Sequence, residues 1–118
     1  MELDFLNQME LEPARAWLMK FPGVGPKTAA CVLLFSMGRP AFPVDTHVHR
    51  VARRLGLAPF KSTPEQVAAI LEKVTPEKYI YQAHVHLVRH GRVICHARKP
   101  ECDNCNLAQI CPKIGLAR

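Results

Sequence analysis

Four cysteines close the chain in the pattern C-x6-C-x2-C-x5-C: Cys95, Cys102, Cys105 and Cys111, all within 17 residues. A span that short cannot frame a 118-residue fold, but four thiolates so near in sequence can converge on one inorganic centre. Two chemistries suit them. Zn2+ takes four thiolates tetrahedrally, and C-x2-C is a zinc signature. A [4Fe-4S] cluster also takes four cysteines, under looser spacing rules. Zinc sites more often draw on two separated cysteine pairs, whereas here single cysteines flank one pair. The fifth cysteine, Cys31, lies in an apolar segment and reads as packed interior rather than as a ligand.

Two other segments carry chemistry. Phe21-Pro22-Gly23-Val24-Gly25-Pro26-Lys27-Thr28-Ala29 is a tight Gly-x-Gly turn between two short helical stretches. Gly23 and Gly25 permit positive φ and close approach by a partner, and the turn aims backbone N–H groups outward at a helix N-terminus. That suits a phosphate, with Val24, Lys27 and Thr28 at the contact. It is not a dinucleotide fingerprint, because no strand precedes it and the third glycine is missing. Lys27 falls just inside the second helix, where the positive end of the dipole and apolar surroundings favour the neutral amine, a nucleophile. Asp45, in Pro43-Val44-Asp45-Thr46-His47, reads first as the N-cap of a helix. It is also the sole carboxylate between Glu12 and Glu65. An amine and a carboxylate folded toward each other at a DNA-binding surface make a nucleophile and an electrostatic stabiliser.

The elements that must position these groups are helical throughout; no segment alternates in the manner of a strand. The periodicity predicts helices over about 12–20, 27–37, 46–55, 64–74 and 76–93, and one further turn near 107–110. The 27–37 segment is apolar on nearly every face, which predicts burial. Thr63-Pro64 starts the fourth helix with proline in its first turn. In the third, Val48, Val51, Ala52 and Leu55 share one face while Arg50, Arg53 and Arg54 take the other. Trp17 reads as core.

Charge is unevenly placed. The 52 residues between Glu12 and Glu65 hold eight Lys or Arg against Asp45 alone, and residues 84–100 hold Arg89, Arg92, Arg98 and Lys99 with no acid. Such a surface fits a polyanion, since each neutralised phosphate releases counterions. His47, His49, His84, His86, His90 and His96 read as surface or phosphate-adjacent packing; no carboxylate motif accompanies them. No apolar run approaches the roughly 20 residues of a membrane span. The N-terminus lacks the basic start and apolar core of a secretory signal, which points to the cytoplasm and its reduced thiols.

Taken together, the hairpin FPGVGPKTA, the segment VDTHVHRV and the four-cysteine pattern, with HGRVICHARKPECDNC around it, resemble the endonuclease III family of helix-hairpin-helix DNA glycosylases. The resemblance runs from about residue 12 to 112. It implies an all-α fold, a helix-hairpin-helix followed by a helical [4Fe-4S] lobe. Residues 1–43 would be the remnant of a six-helix lobe and 44–118 the cluster lobe, with its loop at 95–111. It implies that Lys27 attacks C1′ of a damaged nucleotide, expels the base and forms a Schiff base, and that Asp45 assists base departure. β-Elimination would then nick the strand. Related adenine-mismatch glycosylases lack this lysine, so its presence favours oxidised-pyrimidine repair. The cluster would shape Arg98 and Lys99 into a phosphate-facing loop. The implied partner is double-stranded DNA bearing a damaged base or abasic site, and the implied location is the nucleoid. Family members are about twice this length, and the part without a counterpart supplies most of the six-helix lobe and of the base pocket. Exposed apolar surface on residues 12–37 would then favour self-association or a complementing N-terminal half, and a non-catalytic DNA-binding module is the alternative reading.

Overall fold

A computed structural model describes residues 4–116. The outermost ends of the two expected lobes, residues 1–3 and 117–118, lie outside the described residues. Among the described residues the secondary structure is entirely helical: α1 (Leu11–Leu18), α2 (Pro26–Cys31), α3 (Thr46–Arg54), α4 (Pro64–Val74) and α5 (Ile80–Val93). The molecule is elongated, about 50 × 25 × 21 Å.

Local chemistry explains most boundaries. The Asp45 side chain caps α3 by accepting from the Val48 N–H at 2.8 Å. Thr63 and Gln66 form a reciprocal capping box at α4, satisfying two otherwise orphaned N–H groups, and Pro64 occupies the first helical position. Where the capping signals are weak, the sequence expectations shift. The expected 27–37 helix is α-helical only to Cys31 and continues as a π-helix from Val32 to Ser36. The fifth helix opens with a 3-10 turn, Glu77–Tyr79. A 3-10 segment, Asp4–Gln8, precedes α1 without a sequence signal. Residues 107–110 form hydrogen-bonded turns rather than a helical turn, and the 3-10 turn of the cysteine loop falls at Cys102–Asn104 instead.

Two apolar clusters hold the molecule. The first gathers Leu6, Ala14, Leu18, Ala29, Ala30, Leu33 and Ala41, with Trp17 packed against it. Trp17 meets Phe5 and Phe21 edge-on, at 4.9 and 5.1 Å between ring centres. The second gathers Leu34, Phe42, Val44, Val48, Ala52, Ala58, Val67, Leu71 and Ile80. The wider π turn sends the adjacent residues Leu33 and Leu34 into different clusters. It also leaves Phe35 half-exposed, so burial on every face of this segment is not what the fold provides. A polar tie joins the two parts: Arg15 of α1 donates to both carboxylate oxygens of Glu72 of α4 at 2.8 and 3.1 Å, and Glu72 also accepts from the Phe42 N–H at 2.8 Å.

Candidate active site and metal centre

The hairpin presents its donors outward. Gly23 has φ +83°, a left-handed conformation costly for other residues, whereas Gly25 is extended and caps α2. Around both glycines a Cβ would meet nothing within 4 Å. Gly23 is therefore needed for backbone conformation, and Gly25 leaves open space for a close approach. Among the described residues the N–H groups of Lys27 and Thr28 have no acceptor, as expected of a helix's first turn. Both side chains are exposed. Lys27 is exposed at the rim of α2 while Ala29, Ala30 and Leu33 fill the interior, so apolar residues border it without enclosing it.

Asp45 is half-buried at the start of α3. Lys27 and Asp45 make no ion pair within 4 Å among the described residues, yet both charges act on the same two groups. Burial pushes the Cys31 thiol up, while Lys27 pulls it down and Asp45 pushes it up. Burial pushes the His84 imidazole down; its hydrogen bond to the Pro43 carbonyl at 3.0 Å and the Asp45 charge oppose this, and Lys27 adds to it. Cys31 therefore sits half-buried within the influence of both charges rather than in a core. On the other flank of α2, a groove of about 410 Å³ runs from Lys27 and Thr28 to α4, walled by Met19, Ala30, Phe42, Val44 and Ala68, with Arg15 and Glu72 among its lining residues.

The four cysteines of the C-terminal segment line one cavity with Val51, Leu55, Ile94, Pro100 and Ala108. No three Cys, His, Asp or Glu side chains among the described residues converge where a single ion could bind them. Four thiols lining one apolar hollow match the four-cysteine ligand set of an iron–sulfur cluster. The donor environment fits thiolates as well. Cys105 Sγ accepts from the Leu107 N–H at 3.3 Å and lies 3.4 Å from His90 Nε2, Cys111 Sγ accepts from the Lys113 N–H at 3.4 Å, and Cys95 Sγ accepts from Arg54 Nη1 at 3.3 Å. Cys95, Cys102, Cys105 and Cys111 are thus the residues that would hold the cluster, which when bound supplies a covalent cross-brace for this lobe.

Sequence reasoning missed what α3's arginines do. Arg50 and Arg54 turn toward the cysteine segment and not to solvent: Arg50 donates to Cys95 O and Gly91 O at 2.9 and 2.7 Å, and Arg54 to His96 O and Ala97 O at 2.7 and 3.1 Å. Arg53 alone of the three reaches the other way, to His49 O and Phe60 O. Gly91 makes this packing possible, since a Cβ there would fall 2.8 Å from His47 Cβ. The histidines also work inward more than expected. His84 is buried, His49 Nε2 lies 2.7 Å from Ser62 O, and His47 Nδ1 lies 3.0 Å from Arg50. Arg98 and Lys99 do lie exposed at the tip of the 95–101 loop, Lys99 with φ 53°, and the Glu101 N–H to Ile94 O bond at 2.8 Å closes that loop.

Comparison with known proteins agrees with this geometry. Residues 10–77 match the family model of the HhH-GPD superfamily base excision DNA repair protein, and residues 95–111 match the iron-sulfur binding domain of endonuclease III. Endonuclease III of Rickettsia felis is 51% identical over 94 residues, 80% of this chain and 44% of that protein. Endonuclease III of Escherichia coli K12 is 44% identical over 102 residues, 86% of this chain and 48% of that protein. A solved structure of a trapped endonuclease III–DNA covalent intermediate superposes with a TM-score of 0.79 at 37% identity, covering 91% of this chain and 50% of that one. The chain spans about half the length of the relatives it matches. With its hairpin, its helical fold and a [4Fe-4S] site of the endonuclease III kind, the chain belongs to the HhH-GPD superfamily of base excision DNA repair proteins.

Proposed function

We propose that this chain carries the catalytic pair and cluster lobe of a bifunctional DNA glycosylase/AP lyase of the endonuclease III type. The observation that carries this reading is the placement of an exposed Lys27 at the start of the hairpin helix, beside first-turn N–H groups that have no internal acceptor among the described residues. In this reading the unpaired N–H groups of the hairpin seat a phosphate of duplex DNA, with Gly23, Val24, Gly25 and Thr28 at the contact. The Lys27 amine attacks C1′, the base departs, and Asp45 stabilises the positive charge developing on the sugar. The resulting Schiff base allows β-elimination, which breaks the strand 3′ to the lesion. Oxidised pyrimidines and abasic sites are the proposed substrates. Arg98 and Lys99 contact a second stretch of backbone. The part through residue 43 supplies the hairpin, and residues 44–118 supply the aspartate and the cluster. A related endonuclease III caught in a covalent complex with DNA supports the covalent route.

Borohydride trapping on a duplex bearing one abasic site tests this. A covalent adduct is expected from the wild-type chain and none from Lys27→Ala, with duplex binding by fluorescence anisotropy retained in both. Binding without an adduct in the wild type would favour a second reading, a cluster-stabilised DNA-binding module. That reading draws on one observation, the half-length match to the relatives. The exposed Met19, Phe21 and Phe35 suit a complementing half or a second copy, and nucleoid association would follow from DNA binding.

A further inference from the structure

Arg54 is where both ends of the cysteine segment meet. Its guanidinium donates to Cys95 Sγ at 3.3 Å, His96 O at 2.7 Å and Ala97 O at 3.1 Å. Its own carbonyl, left without a helical partner at the end of α3, accepts from the Ile114 N–H at 3.2 Å, three residues past Cys111. The side chain therefore grips the entry of the 95–111 segment and the backbone grips its exit. A lysine could not do this, since one ammonium lacks the planar fork that reaches three acceptors at once.

Charge makes the same point. Among the described residues no carboxylate stands within 4 Å of Arg50, Arg53 or Arg54, although all three are half-buried on one helix. Clustered, partly desolvated cations are unfavourable unless negative charge lies nearby. Thiolates ligating an iron–sulfur core bring that negative charge, and they stand on the side to which Arg54 points.

We propose that Arg54 is the positioning residue of the metal centre: it supplies the counter-charge for the Cys95 thiolate and fixes the register of the loop that carries Arg98 and Lys99. This rests on the cluster assignment. The test compares the cluster-loaded wild-type chain with Arg54→Gln, Arg54→Lys and Arg53→Gln, all checked for helix content by circular dichroism. Two readouts are taken: the rate of iron release to a chelator, followed by loss of visible absorbance, and the reduction potential of the bound cluster. Arg54→Gln is expected to release iron about 10–100-fold faster, the usual scale for loss of a partner behind a metal ligand. Its potential should move to more negative values, because a nearby cation stabilises the added electron. Arg54→Lys should hold the potential near wild type while still releasing iron faster, and it carries the test if Arg54→Gln loses helix content. Arg53→Gln should match wild type on both. Wild-type behaviour of Arg54→Gln in both readouts overturns the proposal, and so does an Arg53→Gln variant that leaks iron equally, since overall charge would then be the cause. Wild-type protein that purifies with zinc and no iron defeats the cluster assignment itself, a result distinct from either.

Discussion

The hairpin and the α3–cluster region are both rich in positive charge, and they use it in opposite directions. At the hairpin, Lys27 and Thr28 are exposed and their N–H groups have no internal acceptor. On α3, Arg50 and Arg54 are turned inward onto carbonyls 41–45 residues away in sequence. The difference teaches that a basic stretch is not evidence of a binding surface until its donors are counted. Donors left over can receive a ligand, whereas donors already satisfied are holding the protein in shape.

Asp45 offers the sharpest test, because its carboxylate caps α3 and, in the proposed function, also stabilises charge on the sugar. Asn is as good an N-cap as Asp, so Asp45→Asn should leave thermal stability nearly unchanged. It should lower the glycosylase rate by about 10²–10³-fold, measured in single-turnover assays. Asp45→Ala should show the same loss and in addition lower stability by ~1 kcal/mol. Equal activity of Asn and wild type would reduce Asp45 to a cap and erase the comparison on this side.

The tie between α1 and α4 tests whether inward-turned charge is structural. Glu72→Ala leaves the Phe42 N–H without its partner and leaves the half-buried Arg15 with only the exposed Glu12, at 3.1 Å. A loss of about 2–3 kcal/mol in urea unfolding is expected. No loss would mean that such pairs contribute as little as exposed ones.

A smaller effect concerns pH. His84 is buried and its imidazole is pushed down from an ordinary value of 6.5, first by burial. The unfolded chain therefore takes up this proton more readily, so the stability contributed by neutral His84 is present above pH 6.5 and is lost as pH falls through the folded value. Stability should decline on acidification below about pH 6.5. His84→Gln should flatten the part of that slope not carried by His90, which burial also pushes down. An unchanged slope in the variant would place the acid sensitivity elsewhere.

How much of this was legible follows from the range of each interaction. The start of α4 could be read because Thr63 and Pro64 are local signals written side by side; the Gln66 half of the capping box went unread. The Asp45 cap was legible for the same reason. The four cysteines lining one cavity followed from spacing alone. The π turn at Val32–Ser36 has no compositional mark, and it arises where two cores compete for adjacent residues. The inward turn of Arg50 and Arg54 was illegible because their acceptors are backbone carbonyls, which every residue has. Glu72, on an amphipathic helix, reads like any solvated acid until Arg15 is found 57 residues away.

The π turn has a consequence for engineering. Because Leu33 and Leu34 anchor different cores, the boundary between them is one peptide bond wide. An insertion there would push one leucine out of its socket, and a cut would open both cores at once. The molecule should therefore tolerate grafting or splitting in its exposed connections, such as Pro76 to Tyr79 between α4 and α5, and refuse it in the middle of its most apolar segment.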